Sequence, residues 1–165
     1  MRMDLIQPFI NAADAVLAET LQCPTKIGDV SMDEEAYRRK GTAAIVNIHG
    51  DIEGRVILDL DGPTAAKVAS YLAGEPVAEN EDLVKETIFE LANQIIGNAV
   101  TTLNDQGFRF KIAPPELLSA DLGEKSNEEQ EALVMCFETA NGSMYMNVAM
   151  RYNRRRRQER SAVAG

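Results

Sequence analysis

Glu90 and Asn93, three residues apart in the segment EDLVKETIFELANQIIGNAVTTLND (81–105), are the residues of this chain best suited to do chemistry together. Neither is a nucleophile at neutral pH, and no serine, cysteine and histidine set points to covalent catalysis. What the pair can do is hold. A carboxamide offers two N–H donors and an acceptor, so Asn93 can orient a water for attack on an external electrophile. A carboxylate such as Glu90 can accept a cation from a partner protein. At about 100° per residue, Glu86 and Gly97 extend the same row by a turn in each direction, and the glycine leaves room for close approach. An ordinary solvated helix face mixes Lys with Glu, whereas this one shows two carboxylates, a carboxamide and a glycine. The pattern alone leaves two readings open, a docking surface and a solvated face on which one Glu and one Asn meet by chance.

Presenting that row requires a helix anchored on its other side. Ile88, Leu91, Ile95 and Ala99 gather there, flanked by Val84 and Ala92. The spacing predicts one long amphipathic helix over 81–105, capped by Asn80, with Glu81 and Asp82 favoured by the macrodipole and Gly107 ending it. Before it, Asp61, Gly62 and Pro63 mark the start of a helix that ends at Gly74. The first helix, within MDLIQPFINAADAVLAET, is expected to run from about Pro8 onward. Strands are expected at Thr25 to Val30, in TAAIVNIH and GRVILDL as a hairpin, in FRFKIA as far as Pro114 and Pro115, and in EALVMCFET and SMYMNVAMRY as a hairpin over Ala140, Asn141 and Gly142. SMDEEAYRRKG and LLSADLGEKSNEEQ read as polar connectors. The methionine stripe Met144, Met146 and Met150 alternates with period two beside Leu133 and Met135, the pattern of sheet core and not of a copper site. The implied architecture is α+β: one layered domain over residues 1–152, a mostly antiparallel sheet with long helices packed against it.

Composition narrows the function classes. At 165 residues and 45% hydrophobic, the chain suits one well-filled core. No apolar run is long enough to cross a bilayer, and MRMDLIQPFINAADAV is broken by Asp4, Pro8 and Asn11, unlike a secretory signal, so a cytoplasmic protein is expected. Cys23 and Cys136 have no CxxC spacing and read as small buried hydrophobes, and His49, the single histidine, reads as a strand-end or turn residue. The formal charge is −9, yet six arginines and one Glu fall within the last fifteen residues. Residues 153–165 read as an arginine-rich, disordered tail. The body without them is strongly acidic, which disfavours nucleic acid. There is no Walker loop, no GxGxxG after a strand and no acidic triplet with metal spacing, so no cofactor of the chain's own is expected.

FELANQIIGNA, preceded by Glu86 and with Pro115 following Asn93 after twenty-one intervening residues, resembles the signature of the CheC/CheX family of bacterial chemotaxis phosphatases. The opening Pro8-Phe9 pair, the central hairpin, the double proline and the closing Asn-Gly hairpin match that family's order of elements. Members of the CheC type carry the Glu and Asn motif twice. Here Pro8 stands three residues before Asn11, where a second Glu would be, so the single motif is of the CheX type. The resemblance implies a homodimer whose substrate is the aspartyl phosphate of a CheY-like receiver domain, with the divalent metal (Mg2+) supplied by the receiver. It implies that Glu90 docks on the receiver's active-site lysine and Asn93 orients the attacking water, with Glu86, Gly97 and Pro115 at the contact. Two further readings differ in function: a non-catalytic adaptor that binds receivers or flagellar-switch components, and nucleic-acid binding through the arginine run.

Overall fold

The two runs of alternating apolar residues on either side of Asp51 pair as expected. In the computed structural model, which describes residues 3–22, 25–33, 40–118 and 132–153, Thr42–Gly50 (β2) and Ile52–Leu60 (β3) form an antiparallel hairpin. Ala44 lies opposite Leu58 and Val46 opposite Val56. The closing hairpin forms too, from Ala132–Thr139 (β6) into Gly142–Tyr152 (β7). Thr139 pairs with Gly142, so Ala140 and Asn141 are the loop and Gly142 opens the strand. β7 runs along the whole of β3, from Ile52 opposite Tyr152 to Leu60 opposite Met144. Where they cross at Gly54, a Cβ would stand 1.9 Å from the Ala149 carbonyl oxygen, so only glycine fits there.

Lys26–Asp33 (β1) adds to β6, while Phe110–Ile112 (β4) and Glu116–Leu117 (β5) both pair with β2. The sheet order among the described residues is β1-β6-β7-β3-β2-β4, with β5 beside β2 and every pairing antiparallel. Its inner face, including Val46, Val56, Leu58, Met135, Met144, Met146 and Val148, shares one core with the helices Met3–Leu21 (α1), Gly62–Ala73 (α2) and Asp82–Asp105 (α3). This is the α+β layered arrangement expected, and the methionines are packing. The outer face carries a smaller cluster of Ala43, Ile57 and Leu118, with Ile45 against it.

Local chemistry explains where the boundaries differ from expectation. α1 begins at Met3, placing Pro8 inside the helix. Proline removes one intrahelical hydrogen bond, but Leu5, Ile6 and Phe9 are fully buried around it, and the Tyr152 hydroxyl donates to the Asp4 carboxylate. Tertiary burial outweighs the local penalty. β1 continues to Asp33, into the segment read as a polar loop, because β6 offers it a ladder through Asp33 opposite Ala132. Glu81, not Asn80, is the N-cap of α3, and its carboxylate accepts from the Ala78 N–H. Asp61 caps α2 as expected, accepting from the Thr64 N–H at 2.8 Å, and Gly74 closes that helix. β4 is shorter than the FRFKIA run, with Phe108 outside it and Ile112 exposed. The double proline interrupts the edge pairing only briefly, since β5 resumes on β2. Cys136 is half-buried, not buried, because it sits on the thinly covered outer face, while His49 is an exposed residue near the end of β2. Cys23, most of the LLSADLGEKSNEEQ connector (117–130) and the arginine run from residue 154 lie outside the described residues.

One nearly buried acid ties three elements together. Asp51 accepts through Oδ2 from the Arg109 N–H at 2.8 Å, donates its own N–H to the Arg109 carbonyl at 2.8 Å, and accepts on its carbonyl from the Asn153 N–H at 2.9 Å. This fastens the β2–β3 turn to the segment leaving α3. Asp51→Ala is expected to lower unfolding stability by about 1–3 kcal/mol, since it strands a shielded donor. Chemical denaturation reads that loss, and Asp51→Asn, which keeps an oxygen acceptor, recovers part of it.

Candidate functional site

α3 lies against the sheet and beside α1, so its apolar stripe has only one way to turn. Val84, Ile88, Leu91, Ala92, Ile95, Ile96, Ala99 and Leu103 are buried. Full burial of each Leu or Ile contributes about 1.5–3 kcal/mol, which fixes the rotation of the helix about its axis. Glu86, Glu90, Asn93 and Gly97 are consequently all exposed along the outer face of the helical layer.

The charges on this face are of one sign over its first half. Lys85 is the single basic residue of α3; it stands 4.0 Å from Asp82, and both side chains are well exposed. Such a pair contributes little. Asp82, Glu86 and Glu90 therefore offer a negative approach to a cationic partner, followed by the uncharged Asn93 and Gly97. A Cβ at Gly97 would meet nothing within 4 Å, so the space above it is open. Thr101 Oγ1 donates to the Gly97 carbonyl at 3.1 Å, one turn further on.

Pro115 is placed elsewhere in the fold. It lies half-buried between β4 and β5, on strands that pair with β2, and not on the helix that carries the other four. Sequence reasoning passed over Gln94, whose Nε2 donates to Glu90 Oε1 at 3.1 Å. The signal was available, because residues four apart on a helix are neighbours.

No group of three or more His, Cys, Asp or Glu is placed to hold a metal ion among the described residues. No described helix is long and apolar enough to cross a membrane. Tyr145 is held above its ordinary pKa by burial first, then by Cys136, Asp61 and Asp59. It lies on the outer face of the sheet, opposite Cys136 and Asp59 in the ladder, away from α3.

The family model for the chemotaxis phosphatase CheX matches residues 42–138, which include all of α3. The chain belongs to this family. Among CheX relatives, the CheY-P phosphatase CheX of Thermotoga maritima is 27% identical over 124 residues, covering 74% of this chain and 80% of that one. The solved complex of CheX with CheY, BeF3 and Mg2+ from Borrelia burgdorferi is 36% identical, covering 91% of this chain and 99% of that one with a TM-score of 0.71. A CheC-like superfamily protein from Shewanella sp. PV-4 shares the fold more closely at lower identity, with a TM-score of 0.80 at 21% and coverage of 92% of this chain and 99% of that one.

Membership of CheX turns the open space at Gly97 into a testable feature. Gly97→Ala is expected to stabilise the isolated protein by about 0.5–1 kcal/mol, because glycine is a poor helix former and the new methyl meets no neighbour. Thermal unfolding measures this. If a partner's backbone approaches at Gly97, the same variant binds that partner more weakly while being more stable.

Proposed function

We propose that this CheX protein accelerates hydrolysis of the aspartyl phosphate of a CheY-like receiver domain. The observation that carries the reading is the exposed Glu90–Asn93 pair on the outward face of α3, on an acidic approach. A CheY stands beside CheX in the Borrelia complex, and a receiver domain of that kind is the expected partner here. Glu90 meets the ammonium group of the receiver's active-site lysine, anchoring the helix over the phosphorylated site. Asn93 then projects its amide beside the phosphoryl group, its oxygen accepting from the attacking water and orienting it in line with phosphorus. Water oxygen bonds to phosphorus as the acyl oxygen–phosphorus bond breaks, and the receiver's aspartate departs as carboxylate. The receiver supplies the divalent cation that offsets charge on the phosphoryl oxygens. Orientation and charge stabilisation account for most catalysis of phosphoryl transfer, which is why a helper with no nucleophile suffices.

The deciding experiment follows loss of acyl phosphate from a phosphorylated receiver with substoichiometric amounts of this protein. Repeated turnover is expected. Binding without acceleration would instead support the adaptor reading, in which the same helix docks and hydrolyses nothing. The protein is also read as a homodimer, as its family resemblance implies, and sedimentation of the full chain at twice its monomer mass is the expected result.

A further inference from the structure

We propose that Gln94 is a positioning residue for the docking carboxylate, itself held by Thr20 of α1; the inference rests on the reading of Glu90 given above. Thr20 Oγ1 donates to Gln94 Oε1 at 3.4 Å, and Gln94 Nε2 donates to Glu90 Oε1 at 3.1 Å. The polarity runs one way, from hydroxyl to amide oxygen and from amide nitrogen to carboxylate. Glu90, which only accepts, sets which end of the Gln94 amide faces it, and the Thr20 hydroxyl holds the other end of that amide in place. Turned over, the amide would present its oxygen to a carboxylate and repel it.

Glu90 has reason to need holding. Glu86 lies one turn earlier on the same face, and like charges at that spacing push each other apart. A neutral donor restrains the carboxylate without cancelling its charge. An ionised carboxylate has about four acceptor positions, and with Oε1 engaged, Oε2 takes no hydrogen bond from the described residues. That oxygen stays available to a partner's ammonium group. Thr20 is half-buried and reaches across from the helix packed beside α3, so the tether joins the docking residue to the rest of the fold.

The test is steady-state dephosphorylation of a receiver by the full-length protein. Gln94→Ala is expected to raise KM about two- to tenfold, the weight of one long side chain ordered on association, with kcat within about twofold. Thr20→Val shifts KM in the same direction by less. In a Glu90→Ala background, neither change has a further effect. Gln94→Lys separates positioning from structural support: it makes a helix-stabilising Glu–Lys pair yet neutralises Glu90, so thermal stability holds or rises while KM climbs beyond that of Gln94→Ala. An unaltered KM in Gln94→Ala, or the same rise with Glu90 already absent, overturns the positioning role. Wild type and Asn93→Ala serve as controls. If wild type turns over receiver and Asn93→Ala does not, failure at Gln94 refutes the tether alone. If wild type gives no acceleration, the reading of the site falls and the tether falls with it.

Discussion

Asn93→Ala is expected to slow receiver dephosphorylation roughly 10²-fold or more at saturating receiver, the scale of losing one preorganised amide at a reacting centre. The side chain is exposed on the outer face of α3 and carries no buried contact. Its removal therefore leaves folding intact, and alanine is the better helix former. Receiver affinity, read by titration against a phosphorylated or phosphoryl-mimicking receiver, is expected to stay within a few fold of wild type. The loss thus falls on kcat. Asn93→Asp is informative beside it, since a carboxylate of similar size keeps an oxygen acceptor but brings a negative charge to the phosphoryl group, and it is expected to be no better than alanine. Full activity in Asn93→Ala would remove the water-orienting role.

Glu90→Ala acts on the other parameter. Truncating one member of a charge pair that becomes desolvated on docking costs 2 kcal/mol or more, so KM is expected to rise about 30-fold or more. Glu90→Lys should weaken docking further by placing like charges together. Both differences from the wild type shrink as ionic strength rises, because added salt screens the Glu90 attraction and raises the wild-type KM more steeply than that of the alanine variant, which keeps only Asp82 and Glu86. Measuring KM across a salt series therefore identifies Glu90 as the electrostatic contact. A KM unmoved by Glu90→Ala would reassign docking to the neighbouring acids Asp82 and Glu86.

The two variants divide the labour of a helix face along its length. Acidic residues occupy the first half of α3, where the proposed mechanism puts approach and anchoring, and uncharged Asn93 and Gly97 follow. In the proposed mechanism such a face binds through charge and acts through position. It needs no buried cleft, and its four exposed residues make little contribution to stability, so variants there report on function with little interference from folding.

The elements whose formation rests on near neighbours were legible in the chain. Period-two runs in β2, β3, β6 and β7, the Asp61-Gly62-Pro63 start of α2 and the 3.6-residue stripe of α3 each follow from hydrogen bonding and side-chain direction within a few residues. The solvent-facing row of Glu86, Glu90, Asn93 and Gly97 was legible for the same reason. Once Ile88, Leu91 and Ile95 turn inward, the opposite row has to turn out.

What the sequence by itself determined is therefore a layered α+β domain with one selective polar helix face, and the chemistry those residue types can do. Only the tertiary structure decided the features that depend on residues distant in the chain. Pro8 is helical because the core buries its neighbours, and β1 extends because β6 is there to pair with it. Pro115 lies on strands beside β2 and not on α3, and Thr20 reaches Gln94 across seventy-four residues of chain. Local preferences amount to fractions of a kcal/mol per residue, whereas burial and ladder pairing between distant segments contribute several times that. No reading along the chain can show which distant segments will meet.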